Sequence, residues 1–369
     1  MTKPTARPKY QLFTPGPVQV PRDIRSQLAG DLVYHREAAF GKIYASVRSG
    51  LKRVMLTKGD VFLLTSSGTG AMEAAVSNLV GPGDKVLVAV SGKFGERWRE
   101  LCIRFGGYVD SLTRPYGESV PPMEVERHLR ATDTIKCVFT TLTETSTGAL
   151  NDIRSFGEIC RRLNRILVVD AVAGLGADEM RTDAWKVDVV IGGSQKALAV
   201  PPGLAFIALG PRAWDQVESA KGTCFYFDLK SYRRFAEKGQ TPWTPAISLM
   251  YGLDLALRRI VKSGGVSSYW SMHRRMAQFV RSGVKRMGLE LFPENPSNAL
   301  TVVNMPKGVD GARVVDRCKK EGFLFANGQA NLRSKIVRIG HMGPVKKSHM
   351  VKALASFRRA IKAEAGRRR

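Results

Sequence analysis

The chain has 369 residues and carries 58 Lys and Arg against 32 Asp and Glu, a formal charge of +26. Hydrophobic residues make up 44% of it, an ordinary globular fraction, which excludes a disordered or fibrous chain. No stretch approaches the ~20 consecutive apolar residues of a membrane-spanning helix. The plain reading of the cationic excess is a solvated basic surface. Sharper readings are nonspecific binding to nucleic acid and steering of anionic substrates. No recognition-helix, zinc-finger or RNP-type signature supports the nucleic-acid reading. The densest basic run is C-terminal: Arg358-Arg359, Lys362 and Arg367-Arg368-Arg369. It reads as a helix face and a frayed tail. Met1–Tyr10 is polar and Pro-rich without an apolar signal core, which predicts a cytoplasmic protein. Five cysteines, Cys102, Cys137, Cys160, Cys224 and Cys318, are scattered without metal-like pairing. They read as reduced and mostly buried thiols.

From Val61 to about Leu209 short apolar runs alternate with amphipathic stretches. Strands are predicted over Val61–Thr65, Lys85–Val90, Lys136–Thr140, Ile166–Val169, Val187–Ile191 and Ala205–Leu209. Helices are predicted over Ala71–Leu79, Phe94–Phe105 and Ser155–Leu163; in the second, Trp98, Leu101, Cys102 and Phe105 recur at helical spacing. This alternation predicts a mainly parallel α/β sheet covered on both faces. After Pro242 the pattern changes. Ser248–Val261 and Ser267–Met287 read as long helices, Leu300–Asn304 and Ile336–Ile339 as strands, and Ala312–Lys320 and Lys346–Ile361 as helices. The expected division is an N-terminal segment, 1–20, a large domain, 21–255, and a smaller α/β domain, 256–369. The N-terminal segment is expected to cross onto the smaller domain or onto a partner subunit.

In parallel sheets ligands collect beyond the carboxyl ends of the strands. Lys196, in Gly192-Gly193-Ser194-Gln195-Lys196-Ala197-Leu198, and Asp170, after Ile166–Val169, both take such positions. An amine able to form a Schiff base and a carboxylate able to keep a pyridine nitrogen protonated are what pyridoxal phosphate chemistry needs. Ser66-Ser67-Gly68-Thr69-Gly70 runs into a helix whose first N–H groups suit a phosphate; a simple capped turn is the alternative. It matches neither a GxxxxGK[ST] nor a GxGxxG pattern. Phe94 follows a strand and can stack on a flat ring, or merely staple a helix entry. Thr145 offers a hydroxyl to a ring oxygen, with turn chemistry as the alternative. Arg338 interrupts an apolar strand. Its bidentate fork suits a substrate carboxylate, and an internal salt bridge is the alternative. His35 and Arg36 could also reach the site, with a surface pair at a capped helix as the plainer reading.

Taken together, these motifs resemble the class V aminotransferases of fold type I, in the alanine–glyoxylate and serine–pyruvate branch. The resemblance runs from Phe13-Thr14-Pro15-Gly16-Pro17-Val18 through Ser67-Gly68-Thr69-Gly70, Gly92-Lys93-Phe94-Gly95-Glu96-Arg97 and Glu144-Thr145-Ser146-Thr147-Gly148. It continues through Val168-Val169-Asp170-Ala171-Val172, Gly193-Ser194-Gln195-Lys196 and Gln240-Thr241-Pro242-Trp243 to Val337-Arg338-Ile339-Gly340. It implies a large domain with a mainly parallel seven-stranded sheet, a smaller C-terminal domain, and pyridoxal 5'-phosphate as cofactor. It implies that Lys196 bonds the cofactor and Asp170 pairs with its ring nitrogen. Ser67, Gly68, Thr69, Phe94, Thr145 and Gln195 complete the cofactor site, and Gln240 and Thr241 are lent by the neighbouring subunit of a homodimer. Arg338 takes the substrate carboxylate, with Gly16 beside the same pocket. The expected activity is ping-pong transfer of an amino group from alanine or serine to glyoxylate or pyruvate. Aspartate and aminophosphonate donors remain open, and a basic nucleic-acid-binding protein on this fold is the rival. Gln195, where cysteine desulfurases carry His, argues against desulfuration.

Overall fold

The computed structural model describes residues 10–366. Met1–Lys9 and the tail Arg367–Arg369, singled out above, lie outside the described residues.

A seven-stranded sheet forms the centre, as expected. In spatial order its strands are Asp60–Leu64, Ala205–Leu209, Val189–Gly193, Ile166–Asp170, Ile135–Thr141, Lys85–Val90 and Tyr108–Thr113. All neighbours run parallel except Ala205–Leu209, which is antiparallel to both of its partners. The inner strands are buried on both faces, which their unbroken Val, Ile and Leu runs require. Six of the seven strands lie within two residues of their predicted spans. Val187–Ile191 moves to Val189–Gly193 because Val187 still donates to the Thr182 carbonyl inside the preceding loop. Tyr108–Thr113 was not foreseen. It is an edge strand with alternating exposure and no apolar run.

Helices cover both faces. Gly68–Leu79 packs on the two strands that flank the Lys196 loop, and Lys93–Arg104 packs beside Lys85–Val90. An unpredicted helix, Ala38–Met55, buries Phe40, Tyr44, Val47, Leu51 and Val54 along one stripe and packs on Ile247–Lys262.

The C-terminal part builds a three-stranded antiparallel sheet with Ile336–Gly340 between Leu300–Asn304 and Ala326–Asn327. Helices Gly265–Lys285, Gly311–Lys320 and Lys347–Ala365 pack with it. The N-terminal segment crosses onto this part of its own chain: Gln11–Leu12 pairs in parallel with Phe323–Leu324. Among the described residues no helix is long and apolar enough to cross a membrane.

Candidate active site

The carboxyl ends of the sheet assemble the site. Asp170 ends its strand opposite Ile191 of the next. That neighbouring strand ends at Gly193, and its chain loops through Lys196 before returning antiparallel from Ala205. Ser194 pins the loop: its N–H donates to the Leu204 carbonyl at 3.0 Å and its Oγ to the Pro201 carbonyl at 2.6 Å. Lys196 is 9% exposed, and Nζ donates to the Pro15 carbonyl at 2.7 Å. Burial pulls its pKa down to about 8; Arg338 adds to the fall and Asp170 opposes it. Asp170 is 5% exposed, and Oδ1 accepts from the Val172 N–H at 2.8 Å. Burial raises its pKa to about 6, with Glu144 adding to the rise and the Val172 bond, Lys196 and Arg97 opposing it.

Gly16 reaches Lys196 from the N-terminal segment. Its φ of +125° lies in the left-handed half, and a Cβ there would meet Lys196 Cδ at 2.5 Å and Nζ at 2.6 Å. Position 16 therefore shapes the lysine's space, beside the carboxylate pocket expected for it.

Ser67 takes the N-cap position of Gly68–Leu79, but no side chain caps that helix, so its first N–H groups face outward without a side-chain acceptor. A Cβ at Gly68 would meet Val172 Cγ2 at 2.7 Å, and Val172 follows Asp170 by two residues. Thr69 Oγ1 accepts from Arg97 Nη1 at 3.0 Å, and the same guanidinium lies 4.8 Å from the Phe94 ring centroid. Gln195 holds a solvent-shielded Oε1 with no partner among the described residues. An uncapped helix start and a buried lysine whose charge interacts with a buried carboxylate fit a phosphorylated pyridine aldehyde.

Arg338 is 8% exposed on the central strand of the C-terminal sheet. Nε donates to the Asn327 carbonyl at 2.8 Å and Nη1 to the Thr145 carbonyl at 3.2 Å. Burial lowers its pKa to about 10, and Glu144 pulls the other way. No carboxylate among the described residues lies within 4.0 Å of it. The internal salt bridge left open above is therefore absent among them, and Nη2 is in neither backbone bond. Thr145 itself is buried and meets Arg338 through its carbonyl.

Gln240 and Thr241 are not brought to Lys196 by their hydrogen bonds. Arg36 Nη1 donates to Gln240 Oε1 at 3.1 Å and to the Thr241 carbonyl at 2.7 Å, and Thr241 Oγ1 donates to the Trp243 carbonyl at 2.7 Å. Arg36 is thus the clamp of this loop rather than half of a surface pair.

Sequence reasoning assigned no role to Glu144 or Arg97, or to the Pro15 carbonyl. Glu144 had a visible signal: an acid alone within a run of buried apolar and hydroxyl residues, Thr140–Ala149. The carbonyl had none.

A model of the family described as aminotransferase class V matches residues 25–354. The chain is 33% identical to the L-aspartate–glyoxylate aminotransferase of Paracoccus denitrificans, over 94% of this chain and 89% of the relative. It is 30% identical to the serine–glyoxylate aminotransferase of Arabidopsis thaliana, over 96% of this chain and 90% of the relative. The solved alanine–glyoxylate aminotransferase of Nostoc sp. superposes with a TM-score of 0.93 at 29% identity, over 98% of this chain and 97% of that one.

Proposed function

Because the chain belongs to the class V aminotransferases, whose cofactor is pyridoxal 5'-phosphate, we propose that it carries the amino group of alanine or serine to glyoxylate or pyruvate by a ping-pong route. When bound, the cofactor supplies an electron sink for the charge that develops at the substrate Cα. The chain's own groups do the rest. Lys196 is the amine that would hold the cofactor, and its lowered proton affinity suits Nζ to moving a proton from the substrate Cα. Asp170 would keep the pyridine nitrogen protonated, with Oδ1 fixed by the Val172 N–H. Ser67, Gly68, Thr69 and Gln195 would line the phosphate side, and Phe94 and Thr145 the ring. Gln240 and Thr241 would serve the partner's site in a homodimer. The exposed aromatic pair Phe225 and Tyr226 beside Trp243 supports that reading. Division into 1–20, 21–255 and 256–369 belongs to the same reading. One apolar core runs from Ile24 past residue 255 to Trp270, a second gathers Phe13, Val280, Phe325 and Phe357, and a third joins Ala177 and Ala197 to Leu300 and Ile336.

The carrying observation is a buried guanidinium with no acid partner among the described residues, whose charge acts on a buried lysine. It supports a substrate with a carboxylate beside its reacting carbon. Asp170 and Arg338 are the charged groups acting on Lys196. A single guanidinium assigned to the substrate carboxylate, Arg338, favours small monocarboxylic substrates over aspartate and over aminophosphonates. Borohydride reduction of cofactor-loaded protein should place the pyridoxyl label on Lys196 by peptide mapping; a label elsewhere rejects the site. With glyoxylate as acceptor, alanine or serine should exceed aspartate in kcat/KM. The reverse order would move the donor to aspartate and leave the transaminase reading standing.

A further inference from the structure

Glu144 is wholly buried and belongs to no ion pair among the described residues. Its carboxylate accepts four hydrogen bonds. Oε2 takes the N–H groups of Phe94 at 3.0 Å and Gly95 at 3.1 Å. Oε1 takes the Ser146 N–H at 3.1 Å and the Ser146 hydroxyl at 2.5 Å. Ser146 Oγ in turn accepts the Lys93 N–H at 3.1 Å. Three successive N–H groups that open helix Lys93–Arg104 are therefore capped from a hairpin about fifty residues away. The helix has no side-chain cap of its own at Gly92.

All the partners of Glu144 are donors. Only an ionised carboxylate offers two acceptor-only oxygens to such a set; a glutamine would turn an NH2 group toward one pair of them. Burial raises the Glu144 pKa while these bonds draw it back. Gly92 makes the close approach possible, since a Cβ there would lie 2.5 Å from Glu144 Cδ and 2.4 Å from Ser146 Oγ. The next residue of the hairpin, Thr145, gives its carbonyl to Arg338. One buried acid thus ties together the helix start that carries Phe94, the hairpin that carries Thr145, and the anchor of Arg338.

We propose that Glu144 is a positioning residue: by joining the Phe94 helix to the Thr145 hairpin it sets the plane in which the cofactor ring is held and the place of the Arg338 fork. This rests on the pyridoxal phosphate reading. Glu144 acts through Phe94, Thr145 and Arg338 and not on the reacting atoms.

The test uses the full chain loaded with pyridoxal phosphate. Glu144→Gln should weaken cofactor binding by about tenfold, since two of four donors lose their acceptor. It should also remove at least half of the visible circular dichroism of bound cofactor and raise KM for the amino donor more than it lowers kcat. Ser146→Ala, which deletes only the hydroxyl link, should shift the same three readouts in the same direction by a smaller factor. It also serves if the glutamine variant fails to fold. Wild-type circular dichroism and cofactor affinity in either soluble variant would overturn the proposal, even with a lowered Tm, because a purely structural acid would change only the Tm. Borohydride labelling of Lys196 in the wild type separates the two readings. If it fails, the cofactor assignment falls and takes this proposal with it; if it succeeds while the variants are unchanged, only the role of Glu144 falls.

Discussion

At the scale of single residues, the site costs the fold stability until it is filled. Lys196 holds its proton less tightly when folded, so from about pH 8 up to 10.5 the unfolded chain binds more protons and stability climbs as pH rises. Asp170 shows the opposite window: from 3.8 to about 6 the folded chain binds more protons, and stability falls as pH rises. Near pH 7 the cofactor-free protein bears both costs. Lys196→Met is expected to stabilise the cofactor-free protein at pH 7 by an amount on the order of 1–3 kcal/mol, seen as a raised Tm. The pH-dependent part of that gain should vanish above pH 10.5. Calorimetry across this range checks it, and a gain that does not change with pH would reject the desolvation account. The same lysine predicts that cofactor uptake quickens with pH around a midpoint near 8, since only the neutral amine attacks the aldehyde. Lys196, Asp170 and Arg338 were legible because a charged residue at or beside an apolar strand is conspicuous. The Pro15 carbonyl that receives Lys196 was not, because every residue presents a carbonyl and only the fold selects one.

At the scale of elements, the helix Gly68–Leu79 is the part of the site built from backbone. Its start lacks a side-chain cap, so its N–H groups and dipole are available to a phosphate. Gly68→Val is expected to drive this helix start away from Val172, against which even a Cβ would sit at 2.7 Å. Affinity for pyridoxal phosphate should then fall about tenfold or more, while affinity for unphosphorylated pyridoxal changes little. Equal losses for both would mean that the phosphate sits elsewhere. The glycine and serine pattern made this helix start readable from sequence. The helix Ala38–Met55 carries Phe40, Tyr44, Val47 and Leu51 at helical spacing but has no side-chain cap that marks its start. The edge strand Tyr108–Thr113 carried no comparable signal, because an edge strand needs neither face fully apolar.

At the scale of the whole molecule, the N-terminal segment is one tie between the larger and smaller parts, beside a third apolar cluster that joins Ala177 and Ala197 to Leu300 and Ile336. Phe13 is wholly buried in the second core, its carbonyl accepts the Gly340 N–H at 2.6 Å, and Pro15 and Gly16 then meet Lys196. Phe13→Ala should cost about 3–5 kcal/mol by cavity formation. It should also loosen cofactor binding, because the segment bearing Gly16 loses its anchor. Denaturant unfolding with and without cofactor checks both, and an undiminished cofactor affinity would show that the segment is held elsewhere. The +26 charge has its plain reading in basic residues spread over the solvated surface. By itself the sequence determined the alternation of strand and helix, the mainly parallel sheet, and the polar residues waiting past its strands, because these follow from local apolar patterning and steric rules. Only the tertiary structure decided that Arg338 has no acid partner among the described residues and that Glu144 caps a helix some fifty residues away. It alone showed that the chain's first described segment closes over Lys196. Such contacts join residues far apart in the chain, and no local pattern encodes which of many equivalent donors and acceptors will meet.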